Sequence, residues 1–182
     1  MKRICVFCGA AAGHDARFAA TAATLGRELA ARGIELVTGG GKVGLMGVIA
    51  DAALEAGGAV TGVIPRGLEE REVAHRGLTR LHVVETLHER KELMHRLSDA
   101  FVALPGGFGT LDELMETITW AQLGIHAKPI GIVNAGGYFD HLLAFVDAAE
   151  DRGFVSAAHR DLLSIDRDAV RVLDELERRA LL

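Results

Sequence analysis

Short apolar runs alternate along the chain with longer segments whose apolar positions recur every three to four residues, the signature of βαβ units feeding a parallel sheet. The runs predict strands over Arg3 to Cys8, Ile34 to Thr38, Ala59 to Ile64, Leu81 to Val84, Ala100 to Leu104 and Pro129 to Val133, with a short one over Leu163 to Ile165. Most are continuously apolar, as strands are when helices cover both faces of a sheet. The helical period predicts helices over His14 to Arg32, ending at a C′ glycine, Gly33, and over Gly44 to Ala56, ending at Gly57-Gly58. Thr86-Leu87-His88-Glu89 is a capping box that opens a helix to about Leu97, and further helices are expected near Thr110 to Leu123, Phe139 to Arg152 and Asp166 to Ala180. No proline-rich or serine-rich linker and no fixed-period repeat divides the 182 residues, so 1–182 is expected to be a single domain. The expected fold is α/β: a Rossmann-like, doubly wound open parallel sheet with helices on both faces. The longest irregular stretch, Arg66 to Arg80, carries Glu69-Glu70-Arg71-Glu72, which reads either as a solvated charge run or as a lid beside a site.

Composition narrows the setting. Hydrophobic residues at 49% and charged residues at 25% are ordinary for a globular chain, so disorder and low-complexity classes are excluded. With 20 Lys+Arg against 25 Asp+Glu the net charge is -5, which argues against nucleic acid as a partner. No run approaches the ~18 apolar residues of a membrane span, and the apolar stretch after Met1-Lys2-Arg3 stops at Gly9, too short for a signal peptide. Cys5 and Cys8 have CxxC spacing but lie inside the first predicted strand, where residues three apart face opposite sides, so neither redox nor metal chemistry is expected. Two buried thiols without a disulfide framework point to the cytoplasm. Among eight histidines there is no HxxxH or HExxH, and His88 and His95 lack an obvious third ligand, so no metal is expected. The absence of a GxSxG elbow sets acyl transfer aside.

The 22 glycines change the picture. They concentrate in three clusters, Gly9 to Gly13, Gly39 to Gly47 and Gly106 to Gly109, each after a predicted strand and before a predicted helix. In an open α/β sheet such turns share the carboxyl edge, where ligands bind. Glycine lets backbone amides approach a phosphate, and the positive end of a helix dipole stabilises it, so a phosphorylated small molecule is the expected guest. No GxxxxGK[ST] is present, and Thr38 stands where a dinucleotide fold would carry an acid, so ATPase chemistry and NAD are not supported and no cofactor is expected.

Two helices add charge. After Thr86 the apolar stripe is Leu87, Met94 and Leu97, and Arg90 and Lys91 flank it, near the positive end of the dipole, where they need either structural carboxylates or an anionic partner. After Thr110 the stripe is Leu111, Leu114, Met115 and Ile118, which puts Glu113, Glu116 and Trp120 on the other side. Thr110-Leu111-Asp112-Glu113 is itself a capping box, so Glu113 reads as an ordinary helix cap or as a functional acid. Trp120, the only tryptophan, is expected on a second packing surface and hence at a homodimer contact.

Pro105-Gly106-Gly107-Phe108-Gly109-Thr110-Leu111-Asp112-Glu113 matches PGGxGTxxE and resembles the hallmark of the Lonely Guy family of cytokinin riboside 5′-monophosphate phosphoribohydrolases. Leu87 to Met94 resembles that family's companion RK motif, and Gly39 to Gly47 its GGGxxGLMG loop; the likeness extends to Cys5 to Gly9 and Ile118 to His126. The resemblance implies hydrolysis of the N-glycosidic bond of an adenosine 5′-monophosphate, typically one with an isoprenoid group on N6. It implies Glu113 as the catalytic carboxylate and Arg90 as the catalytic arginine. Implied substrate contacts are Lys91, Gly106, Gly107, Phe108, Gly109, Thr110 and Thr119, with Glu72 as a nucleotide-contacting acid and Gly9, Gly40, Gly41, Gly44 and Met46 in the glycine loops. The chain departs from the family's pattern at Ala10, Ala11 and Ala12, where serines are common, and at Thr38 and Leu87, where tyrosine and methionine are common. Two other readings compete. Relatives of this fold resemble molybdenum-cofactor carriers, which do not need the pair Arg90 and Glu113. Lysine decarboxylase is a label attached to similar sequences, and only Lys2, Lys42, Lys91 and Lys128 could form its Schiff base.

Overall fold

The computed structural model describes residues 1–69 and 74–181. Seven strands, β1 (Arg3–Phe7), β2 (Glu35–Thr38), β3 (Val60–Pro65), β4 (Arg80–Val84), β5 (Ala100–Ala103), β6 (Ile130–Val133) and β7 (Leu163–Asp166), form one sheet in the order β4-β3-β2-β1-β5-β6-β7. Every pairing is parallel. Helices α1 (Ala16–Ala31) and α2 (Gly44–Glu55) follow β1 and β2; the short α3 (Arg66–Glu69) follows β3. On the way back come α4 (Leu87–Leu97), α5 (Phe108–Gln122), α6 (Asp140–Asp151), α7 (Ala157–Arg160) and α8 (Ala169–Arg179). The expected doubly wound fold is therefore the observed one. Strand order reverses between β1 and β5, and this switch point is where a crevice opens at the strand ends.

Side-chain alternation along the strands feeds two cores. Ile4, Val6 and Cys8 pack with α1, α2 and α8 residues such as Leu25, Ile49 and Leu173. Cys5 and Phe7 face the other layer, with Met94 of α4 and Leu114 of α5. The two cysteines thus lie on opposite faces, both buried and free. Asp99 closes the opposite edge by accepting the Lys2 and Arg3 amides at 2.6 and 2.9 Å.

Most element limits agree with the hydrophobic pattern to within two residues. Thr86 caps α4 as its capping box predicts: its Oγ1 accepts the Glu89 amide at 3.1 Å, and Glu89 reaches back to the Glu85 amide at 2.9 Å. At the last helix, Asp168 is the cap, so the helix begins at Ala169 instead of Asp166, which stays in β7. The Arg66 to Arg80 stretch is not wholly irregular, since it holds α3. A larger correction concerns α5, which begins at Phe108 behind the extended residue Gly107, two residues before Thr110. Thr110 and Glu113 are therefore inside the helix, and Glu113 is not a cap. The buried side of α5 is Thr110, Glu113, Leu114 and Thr117, whereas Leu111, Met115 and Ile118 are only half-buried. Trp120 is also half-buried, its ring 4.5 Å from that of His95, so it packs onto its own chain instead of facing away from it.

Candidate active site

The loops after β1, β2 and β5 enclose a cleft of about 500 Å³ at the switch point. One wall is Cys8 to Gly13; the facing wall is Pro105 to Gly107 with Gly109 and Thr110 of α5. Leu45 and Met46 at the start of α2, and the rings of Phe18 and Tyr138, close the sides, and Arg90 and Glu113 lie at its charged end. The Gly9 amide donates to Pro105 O at 3.0 Å and the Met46 amide to Gly9 O at 3.3 Å, so loops distant in sequence are bonded into one rim. Gly107 offers no side-chain cap, so the positive end of a 15-residue helix opens at this rim.

Arg90 comes from the first turns of α4, and its guanidinium lies beneath the carboxyl ends of β2 and β3. Nε donates to Val63 O at 3.1 Å and Nη2 to Gly39 O at 3.4 Å, while Nη1 stands 3.4 Å from Glu113 Oε1. Both charged residues are 8% exposed. Taking two charges out of water is costly unless they are paired and hydrogen-bonded, and here the arginine meets two carbonyls as well as the carboxylate. The Nη1 to Oε1 approach is longer than a good charge-assisted bond, about 2.7 to 2.9 Å. Apo catalytic pairs are often loose in this way and tighten around a guest. Cys8 also lines the cleft, but burial, and then the Glu113 charge, push its thiol well above the usual range, so it stays protonated.

Gly9, Met46, Gly106, Gly107, Gly109 and Thr110 line the cleft with Arg90 and Glu113. Other sequence candidates stand elsewhere. Lys91 turns to structural carboxylates, Asp112 at 3.1 Å and Glu116 at 3.0 Å. Burial works against its charge, but the hydrogen bonds it donates to Glu116 and Asp112 outweigh it and raise its pKa. Phe108 is 93% exposed, and Thr119 is exposed with its hydroxyl donating to Met115 O at 2.7 Å. Gly40 accepts the His75 amide at 2.9 Å and Gly41 bridges Ala74, while Gly44, at φ +64°, lets α2 start against the Ala10 backbone. These three glycines shape the loop and do not line the cleft. Glu72 lies outside the described residues. Phe18 and Tyr138 were not sequence candidates. Tyr138 Oη donates to Gly106 O at 2.5 Å and its ring meets Phe18 edge-on at 5.5 Å, a pairing across more than a hundred residues that leaves no local signal.

Behind the pair, His95 of α4 is 6% exposed. Burial, then the charges of His126, Lys128 and Lys91, bring its pKa from the ordinary 6.5 to about 4. His95 is thus neutral in the fold and protonated in the unfolded chain across that interval, so stability is full above pH 6.5 and falls as pH drops toward 4. After allowance for solvent screening the loss is at most about 2 kcal/mol. Thermal melts between pH 4 and 7 check this: His95→Phe is expected to flatten the acid side of the stability curve relative to wild type.

A doubly wound sheet with a glycine-walled cleft at its switch point and a buried carboxylate–guanidinium pair inside defines a Rossmann-like α/β protein. Solved structures share the fold: a molybdenum cofactor carrier protein from Chlamydomonas reinhardtii aligns over 100% of this chain and 99% of its own, with a TM-score of 0.76 at 22% identity. A molybdenum cofactor binding protein from Rippkaea orientalis aligns with a TM-score of 0.73 at 20% identity, over 98% and 97% of the two chains. Sequence relatives are nearer. A rice (Oryza sativa subsp. japonica) protein named "Probable cytokinin riboside 5'-monophosphate phosphoribohydrolase" is 51% identical over 97% of this chain and 78% of its own length. An Arabidopsis thaliana cytokinin riboside 5′-monophosphate phosphoribohydrolase is 48% identical over 97% and 83%. Residues 46–176 match a family model described as "Possible lysine decarboxylase". The chain belongs to the Lonely Guy phosphoribohydrolase family.

Proposed function

We propose that the protein hydrolyses the N-glycosidic bond of adenosine 5′-monophosphates, with or without a substituent on N6, releasing the free base and ribose 5-phosphate. The observation that carries this reading is the Arg90–Glu113 pair in the cleft onto which α5 opens its uncapped end. The phosphate lies against the amides of Gly106, Gly107, Gly109 and Thr110, where partial positive charge gathers without a side chain. Gly9 and Met46 border the sugar. Glycosidic cleavage passes through an oxocarbenium-like ribose, and the Glu113 carboxylate stabilises that cation and directs the attacking water. Water supplies hydroxyl to the anomeric carbon and a proton to the departing base; Arg90 orients Glu113 and assists the leaving group. The names of the rice and Arabidopsis thaliana relatives support the choice of substrate.

The decarboxylase description fits the residues poorly. Among the described residues no lysine lines the cleft: Lys128 Nζ donates to His95 O at 2.6 Å, Lys91 is held by carboxylates, and Lys2 and Lys42 are exposed elsewhere. Chromatography of AMP, N6-isopentenyl-AMP, their nucleosides and L-lysine after incubation with the protein tests the reading. Base and ribose 5-phosphate from the monophosphates alone are expected. Folded protein that releases base from no nucleotide would overturn it in favour of a binding role.

The active species is proposed to be a cytoplasmic homodimer. Leu87 on α4, and Leu123 and Ile125 at the end of α5, are 53%, 66% and 63% exposed, an apolar surface on the layer that carries the acid–base pair. Two free thiols suit a reducing compartment. Sedimentation equilibrium is expected to return twice the 19.4 kDa chain mass; a monomer at micromolar concentration would remove the dimer.

A further inference from the structure

The acid–base pair is shared between two helices, α4 with Arg90 and α5 with Glu113, and the distance between the two groups depends on how those helices are held together. Both run back from the carboxyl edge on the same face of the sheet, so they are parallel neighbours. Three ties join them at nearly constant sequence offset: Arg90 to Glu113, Lys91 to Asp112 and Glu116, and His95 to Thr117. The first is the loose pair itself. The second is only partly buried, opening to solvent at Asp112, where such pairs are weak. The third is buried, with Thr117 0% and His95 6% exposed.

The proton positions of this third tie follow from its neighbours. Thr117 Oγ1 donates its only hydrogen to Glu113 O at 2.7 Å, so toward His95 it can only accept, and His95 Nε2, 2.9 Å away, carries the proton. Thr117 O accepts from His126 Nε2 at 3.1 Å, and His126 Nδ1 in turn accepts the Lys128 amide at 3.1 Å. Lys128 Nζ donates to His95 O at 2.6 Å. The His95 ring is wedged between Phe101 of β5 and Trp120 of α5, with ring separations of 4.4 and 4.5 Å. Within the helix, the Thr117 hydroxyl sits on the carbonyl of Glu113 itself, one turn earlier, a bond that biases helix geometry at that residue.

We propose that His95 and Thr117 are positioning residues: the His95 Nε2 to Thr117 Oγ1 to Glu113 O chain locks α4 against α5 and thereby sets the approach of Arg90 to Glu113. This rests on Arg90 and Glu113 being the catalytic pair. Neither residue touches the cleft, so they act on the reaction only through that approach.

The test compares His95→Phe, which keeps a ring and loses the donor, with Thr117→Val, which keeps the shape and loses the hydroxyl. His95→Gln joins them, because its amide nitrogen falls near the position of Nε2. With N6-isopentenyl-AMP as substrate, His95→Phe and Thr117→Val are each expected to lower kcat about tenfold with KM changed less than about twofold. The double variant is expected to be no worse than either single one, since both remove the same bond. His95→Gln is expected to recover most of the kcat. Wild-type kcat in a folded Thr117→Val, an additive double variant, a loss confined to KM, or no recovery in His95→Gln would each overturn the proposal. Glu113→Gln in the same assay separates the two levels. If it retains activity the catalytic reading itself is wrong. If it is inactive while His95→Phe and Thr117→Val behave as wild type, only the positioning proposal fails. Should His95→Phe not fold, the isosteric Thr117→Val carries the test.

Discussion

Glu113→Gln is expected to leave a folded protein whose release of base from N6-isopentenyl-AMP falls by ~10³-fold or more, near the upper range for a positioned acid–base group. Glutamine keeps the shape and an oxygen that can accept from Arg90 Nη1, so the change removes charge and basicity without opening space. The loss should appear in kcat, because the cation it stabilises exists only along the reaction, while KM stays within a few-fold. A substituted protein that melts with the wild type and still turns over would transfer the chemistry to some other group. Initial rates under saturating substrate, with circular dichroism melts alongside, decide it.

Gly39→Ala should also be damaging to activity, from a position that contributes no side chain. A methyl at Gly39 would fall inside the Arg90 guanidinium, with Cζ only 2.9 Å away and Met46 Sδ at 3.2 Å. The obstacle is the far end of a flexible chain, so the fold accommodates the methyl by expelling the arginine head from its bonds to Val63 O and Gly39 O. Losing buried hydrogen bonds of a charged group costs about 1 to 3 kcal/mol. The catalytic loss should be of the same order, with kcat/KM falling about 100-fold, or ~2.7 kcal/mol, close to the value for Arg90→Ala. Wild-type kcat in Gly39→Ala would mean that Arg90 need not occupy this seat.

Much of this architecture was legible in the chain. Continuous apolar runs gave the strands because a sheet covered on both faces demands them, and three glycine clusters after strands marked the cleft because strand-to-helix turns of a parallel sheet share one edge. The largest departure from the pattern is on α5. Helical periodicity assumes that apolar positions face inward, yet on this helix the inward stripe includes Thr110, which lines the cleft, and Glu113 and Thr117, partners for groups on α4 that no local pattern reveals. The start of the helix is hidden as well: Gly107, Phe108 and Gly109 look like loop, while Thr110 and Glu113 imitate a capping box. The two roles of Arg90 and Lys91, adjacent in sequence, could be told apart only once each had an environment. Tyr138 and Phe18 are cleft residues by virtue of the return path of the chain alone.

A switch point is the natural parting line of a doubly wound sheet, the seam along which two halves could swing apart. Here the seam is stitched: Leu104 N donates to Phe7 O at 2.9 Å and Gly9 N to Pro105 O at 3.0 Å, carrying the strand pairing into the very loops that diverge. The two rims of the crevice are therefore bonded to each other before any guest arrives, and little affinity is spent on bringing them together.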